Sequence, residues 1–487
     1  MRIVNLSIVT GCSILISFLG LAREIFTARL LGTGNNYDCF VAAFSLISFF
    51  LVLFNQQNIQ SLYLPDYHRT RLQDENLSYQ LKIHFGSYLV GVTTLIAFIL
   101  YFFAGNIIHV IFPSFSKDKM SLTADLLKLM MPVIILNATL GIFHSHFHSR
   151  NKFLYPAIGQ LINSALIIIL MFCGQLNVYW LAKIYLISMG ACWMFTALPL
   201  FKNTLSWKGT TKISSVKIVK NGIFILLISC IEQLLHLWFR SYFSSFGEGV
   251  LSEFSYAWKL IYFPVYLVGF SVSTAFFPTI VNEVSQNVTD KKNIRLSSQI
   301  TLSLLILAAS FLYFFAFEIS TVLYGQEAMN IQSLHSISKL LQWFSLYIVI
   351  TGMNIYLTRL AHLCKKSKPL FIGLACIIIV QILITPLLVK KYADFSIPLG
   401  ATLCSTVFVL FQLFLLKKNN IHIMSITDWV WICVSCIGIT AVLCYWLKPF
   451  STSVSGLTTI GIACCFLTLG INAIRKNSFV GQIFSYF

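Results

Sequence analysis

Apolar residues run in blocks of about 20, the length a helix needs to cross a bilayer, and short polar connections separate them. Fourteen such blocks occur, at 4–28, 36–62, 83–112, 121–144, 153–173, 176–201, 217–245, 251–281, 297–323, 333–360, 369–389, 396–416, 427–447 and 454–474. The first is interrupted by Arg23 and Glu24 and has no small-residue cleavage site, so it reads as a retained helix rather than a signal peptide. The pattern predicts an all-α polytopic membrane protein with about fourteen transmembrane helices.

Composition sharpens that reading. Of 487 residues, 57% are hydrophobic and 10% charged, against about 25% charged in soluble domains, which excludes a soluble enzyme. The net charge of +18 is explained by placement. Most basic residues sit on alternate connections, among them Lys291, Lys292 and Arg295, then Lys365, Lys366 and Lys368. The other connections hold only Lys117, Lys119, Lys390, Lys391 and Lys448, with Arg29 at most. Basic residues gather on the cytoplasmic side of membrane proteins, so both termini are predicted cytoplasmic, facing anionic lipid and not nucleic acid. The thirteen cysteines lie mostly within apolar blocks and form no disulfide or metal framework.

The longest hydrophilic connection, from Lys202 to Lys220, falls between the sixth and seventh blocks. It predicts an N-terminal lobe at 1–205, a second at 206–420, and two further helices with a short cytoplasmic tail at 421–487. A sequence echo points to parallel halves. Phe40-Val41-Ala42-Ala43-Phe44-Ser45-Leu46 with a later Leu64-Pro65 resembles Phe254-Ser255-Tyr256-Ala257-Trp258-Lys259-Leu260 with a later Phe277-Pro278.

Ionisable residues at membrane depth are costly and therefore functional candidates. Arg23, Asp38 and Lys259 lead, because Arg23 and Lys259 are cations in early helices of the two halves, suited to an anionic head group. Glu232, two turns before Arg240, is a candidate for ion or proton coupling, and Glu318 reads as an interface residue. His144, His146 and His148 read as a solvated helix end rather than a metal site, since residues two apart face different sides. No Walker, Rossmann or His-Glu-x-x-His motif occurs, so no cofactor, metal or ATP-driven transport is expected. A secondary transporter, a lipid or saccharide flippase, and a membrane transferase remain. The transferase lacks a paired acidic cluster beyond Asp74-Glu75, and a cationic cavity disfavours a multidrug/cation antiporter.

The run Gly20-Leu21-Ala22-Arg23-Glu24-Ile25-Phe26-Thr27-Ala28-Arg29-Leu30-Leu31-Gly32, followed by Asp38-Cys39-Phe40, resembles the N-terminal signature of the MurJ/MviN lipid II flippase family. Arg150-Asn151-Lys152-Phe153 with Pro156-Ala157, and Tyr256-Ala257-Trp258-Lys259-Leu260 with Phe263-Pro264, are similar to later family segments. The resemblance implies the multidrug/oligosaccharidyl-lipid/polysaccharide exporter fold: two six-helix lobes around a central cavity, plus two C-terminal helices that extend a lipid-tail groove. It implies a non-enzymatic flippase of the bacterial inner membrane. Such a flippase moves an undecaprenyl-diphosphate-linked saccharide to the outer leaflet by alternating access, coupled to membrane potential or a cation. By the same resemblance Arg23, Asp38 and Lys259 match substrate-cavity positions of the family. Phe18 and Leu51 stand where the family has arginines, and Gln56 where it has glutamate. A flippase for another polyprenyl-linked oligosaccharide, an O-antigen or exopolysaccharide unit, is the alternative.

Overall fold

Among the described residues, the predicted blocks fall on single helices or on pairs of helices in the computed structural model, and the pairs arise where the chain breaks within a block. The structure describes residues 2–150, 152–175, 177–201, 223–270, 292–325, 328–364, 366–392, 395–418, 426–447 and 455–464, with single positions between them. The expected lobe boundary at 205/206 and the tail from 465 lie outside the described residues. Nine helical stretches there are long and apolar enough to cross a membrane, or ten if one pair bent by 51° is counted as a single span.

In order, the first helices are α1 (Arg2–Leu31), α2 (Asn35–Leu53), α3 (Gln56–Gln73), α4 (Glu75–Phe102), α5 (Ala104–Ile111), α6 (Lys117–Met130) and α7 (Pro132–Ser149). Then come α8 (Leu154–Met171), α9 (Val178–Phe201), α10 (Ile223–Phe243) and α11 (Val250–Pro264), which runs on into a π-helical turn (Val265–Phe270). The remainder are α12 (Lys292–Phe314), α13 (Ala316–Tyr324), α14 (Ile331–Trp343), α15 (Ser345–Leu363), α16 (Ser367–Tyr392), α17 (Ser396–Lys417) and α18 (Ile426–Leu447).

The block predicted at 36–62 is two helices, broken at Phe54 and Asn55, with α3 continuing to Gln73. A break at membrane depth leaves carbonyls that lipid cannot satisfy, and two asparagines supply the donors. Asn137 Nδ2 donates to the Leu51 and Phe54 carbonyls at 3.0 and 3.2 Å. Asn58 Nδ2 donates to the Val52 and Leu53 carbonyls and to Ser229 Oγ. Asn55 caps α3 by accepting the Asn58 N–H at 2.6 Å.

The chain divides into two compact units, Met1–Ser252 and Glu253–Phe487. In the first, α1 packs on α8, α3 on α7, and α2 on both α6 and α10. In the second, α17 packs on α15 and α16, while α12 contacts α15 and α18. The units repeat one plan. Leu100-Tyr101-Phe102-Phe103-Ala104 and Leu312-Tyr313-Phe314-Phe315-Ala316 each end a long helix at the first Phe, turn at the second and begin a short helix at Ala. Backbone angles agree, with φ −103° and ψ 15° at Phe103, and φ −109° and ψ 23° at Phe315. Each short helix leads to one capped by a polar side chain, Ser116 or Asn330.

Within the second unit Pro264 lacks the N–H that α-helical bonding requires, and the chain widens into the π-helical turn just after it. That turn packs on α15, where a Cβ on Gly269 would approach the Gly352 carbonyl oxygen to 3.1 Å. A side chain at Gly269 would push the turn off α15, and one at Gly352 would collide with Leu305 of α12.

Candidate functional site

Arg23 lies in the last third of α1, its side chain 21% exposed. Its guanidinium forms an ion pair with Glu24 at 2.6 Å and lies 5.3 Å from the Tyr185 ring centre on α9. Phe40 and Phe44 of α2 pack against the same ring, at 5.9 and 4.8 Å between centres. The buried Nε atom has no hydrogen-bond partner. A charge held by one carboxylate and one aromatic face keeps a donor for an incoming anion, and in low dielectric that attraction is strong.

Asp38 is buried, 1% exposed, and its partners all belong to the first unit. One oxygen accepts the Gly249 N–H at 2.8 Å, and the other accepts the Ser252 N–H and hydroxyl at 2.8 and 2.5 Å. Lys119 Nζ stands 3.9 Å away. Asp38 therefore caps the first turn of α11 from outside, where first-turn amides lack intrahelical partners. The approach depends on Gly249, whose φ of +80° favours glycine.

Glu232 sits half-buried on α10 and makes no hydrogen bond or ion pair with any described residue. Arg240 on the same helix donates to Ser48 Oγ at 3.4 Å. In the second unit Lys259 is half-buried on α11. Its neighbour Trp258 packs among Phe254, Tyr262, Phe344 and Tyr347.

The histidine series departs from the sequence reading. His144 and His146 are buried, 1% and 3% exposed, not solvated. His146 Nδ1 bonds the Tyr67 hydroxyl at 2.9 Å, and its Nε2 lies 3.0 Å from Arg150 Nη1. Arg150 also donates to Glu75 and to the Tyr79 hydroxyl. Burial works to lower the Arg150 pKa, but the hydrogen bond and charge of Tyr79, with Tyr67 and Glu75, outweigh it and leave it raised. Burial, aided by Tyr79, pushes the Tyr67 hydroxyl up against the opposing effects of Arg150, Ser78 and Arg71. Tight packing of α7 on α3, with Gly141 against Ile59, shields the row, which the sequence pattern did not reveal.

A family described as "Lipid II flippase MurJ" matches residues 27–463. The chain belongs to the lipid II flippase MurJ family. A MurJ-family relative from Buchnera aphidicola subsp. Schizaphis graminum, named probable lipid II flippase MurJ, is 24% identical over 453 residues, covering 89% of this chain and 87% of the relative. One of the same name from Rickettsia prowazekii is 26% identical over 266 residues, 53% and 52% of the two chains. A solved structure of a lipid II flippase MurJ in an inward closed conformation shares the fold, with TM-score 0.79, 20% identity and coverage of 96% and 100%. An inward-facing multidrug resistance MATE family transporter follows at TM-score 0.68, 12% identity and coverage of 83% and 94%.

The positions where the resemblance implies family charges are occupied here by uncharged side chains in this MurJ-family chain. Phe18 is 56% exposed on α1, the Leu51 carbonyl is held by Asn137, and Gln56 accepts from Gln160 Nε2 at 2.5 Å. Sequence reasoning missed Tyr185, Gly249 and Ser252, partners distant in the chain. A tyrosine within an apolar block, and a Gly-Glu-Gly turn before a helix, were the only signals.

Proposed function

We propose that the protein is a flippase that moves a lipid II-like, undecaprenyl-diphosphate-linked saccharide from the cytoplasmic to the outer leaflet by alternating access, without catalysing a reaction. The observation that carries this is Arg23, a cation at membrane depth that keeps a buried unsatisfied N–H in a chain of the MurJ family. A diphosphate accepts that donor and competes with Glu24 for the guanidinium. Lys259 offers a second cation, a point charge rather than a planar fork, in the other unit. Asp38 holds the start of α11, the helix that carries Lys259.

An apolar groove of about 470 Å³ in the second unit, lined by Val349, Met353, Val409, Leu413 and Trp429 with Lys417 beside them, supports a place for the prenyl tail that involves α18, one of the two extra helices. Basic connections support cytoplasmic termini in a bacterial inner membrane. Coupling is assigned to the membrane potential, which favours inward return of an empty cationic site, or to an ion at Glu232.

The test is rescue of cells depleted of their own lipid II flippase, scored by labelled lipid II reaching the outer leaflet. Wild type rescues, whereas Arg23→Ala and Lys259→Ala, expressed at equal level, do not. The second reading, transport of another polyprenyl-linked oligosaccharide, is favoured by Phe18, Leu51 and Gln56, where charges of the family are missing. Failure of well-expressed wild type selects it.

A further inference from the structure

A second cationic cluster, separate from Arg23, lies where the ends of α3, α4 and α7 meet. The charges of Lys82, Arg150, Arg71 and Lys152 all act on the His146 ring. Two of them share one aromatic side chain: Lys82 Nζ is 4.7 Å and the Arg150 guanidinium 5.6 Å from the Tyr79 ring centre. Arg150 is satisfied. An arginine only donates, so His146 Nε2 must accept from it, and the His146 proton then sits on Nδ1, donating to Tyr67. Glu75, with a side chain 64% exposed, takes another Arg150 donor. This bonding fixes Arg150 as part of the wall.

Lys82 differs. It is 9% exposed, and among the described residues no carboxylate pairs with its ammonium. A buried ammonium without an anion is costly, and Arg150 nearby adds repulsion. An anion beside Lys82 turns both terms favourable.

The surroundings indicate what carries that anion. Ile83, adjacent to Lys82, is 41% exposed, and Leu154 and Tyr155, just beyond Lys152, are 40% and 41% exposed. From Ile83 onward α4 presents Val90, Leu95 and Phe98 outward, as a lipid-facing helix does. A ligand with a phosphate head and an apolar body matches a buried cation on a helix that presents such residues outward. A soluble phosphate would use the cation and leave the apolar face idle.

We propose that Lys82, with Arg71 and Lys152 as further charges of the same cluster, binds the head-group phosphate of an anionic phospholipid whose chains lie along the outer face of α4. Positive-inside placement of these basic residues puts the lipid in the cytoplasmic leaflet.

The experiment uses the full chain, purified in a neutral detergent. Its thermal unfolding midpoint is followed while phosphatidylglycerol, phosphatidylcholine or inorganic phosphate is titrated in, and native mass spectrometry counts retained lipid. Wild type is stabilised saturably by phosphatidylglycerol. Lys82→Arg keeps the response, and Lys82→Gln weakens it at least about tenfold in lipid concentration. The exposed cluster variant Lys152→Gln, which leaves the core untouched, weakens it less and serves if Lys82→Gln folds poorly. Equal responses from wild type and both neutral variants overturn the site. A response to inorganic phosphate that phosphatidylglycerol does not exceed overturns the lipid assignment in favour of a soluble phosphate compound. Neither result depends on whether Arg23 binds a diphosphate.

Discussion

One carboxylate oxygen of Asp38 receives both the backbone N–H and the hydroxyl of Ser252, at 2.8 and 2.5 Å. Through this residue pair α2 holds the first turn of α11, so a buried acid in the first unit sets the start of the helix that continues beyond Ser252 into the second.

Removing that cap has a defined outcome. Asp38→Ala leaves the Gly249 and Ser252 amides without acceptors and is expected to lower stability by about 1–3 kcal/mol, the cost of buried unsatisfied donors. Asp38→Asn keeps one acceptor oxygen and is expected to lose less. Thermal unfolding of the purified variants measures both. Equal losses would show that charge, and not the bonding pattern, is what α11 requires.

Tyr185 presents its ring to Arg23. Tyr185→Phe keeps the ring, so rescue of flippase-depleted cells is expected to persist. Tyr185→Leu removes a cation–π contact worth about 0.5–2 kcal/mol and is expected to reduce rescue at normal expression. A Leu variant as active as wild type would remove Tyr185 from the positioning of Arg23.

Gly141 meets Ile59 so closely that an added Cβ would stand 2.7 Å from the Ile59 Cβ. Gly141→Ala is expected to destabilise by about 1–3 kcal/mol through overpacking. Ile59→Ala should then recover part of that loss in the double variant, a coupling read from a four-protein unfolding cycle. Strict additivity would mean that α3 and α7 shift apart without cost.

Asn137 satisfies two carbonyls at the break between α2 and α3. Asn137→Leu preserves volume but strands the Leu51 and Phe54 carbonyls, at an expected cost of about 1–3 kcal/mol each. Heat or denaturant unfolding in detergent checks this. A variant as stable as wild type would show that α2 and α3 can bond as one continuous helix.

The sequence by itself determined that this is a helical membrane protein and placed its apolar blocks, because the bilayer fixes the length and composition of every span. The run around Arg23 also carried the family, since it is contiguous in the chain. What the sequence left open was the pairing of residues far apart. Asp38 reads as an isolated acid until Gly249 and Ser252 are brought to it, and Lys82 reads as an ordinary connection lysine until α4 packs on α7 and buries it. His146 looks solvated by position, yet Tyr67 and Arg150 enclose it. The break at Phe54 falls within a block that reads as one span, despite the polar Asn55-Gln56-Gln57-Asn58 that follows it, because the asparagines that stabilise it lie on α3 and on α7. Hydropathy depends on each residue's own transfer free energy, whereas these contacts depend on which helices touch, and only the tertiary structure decided that.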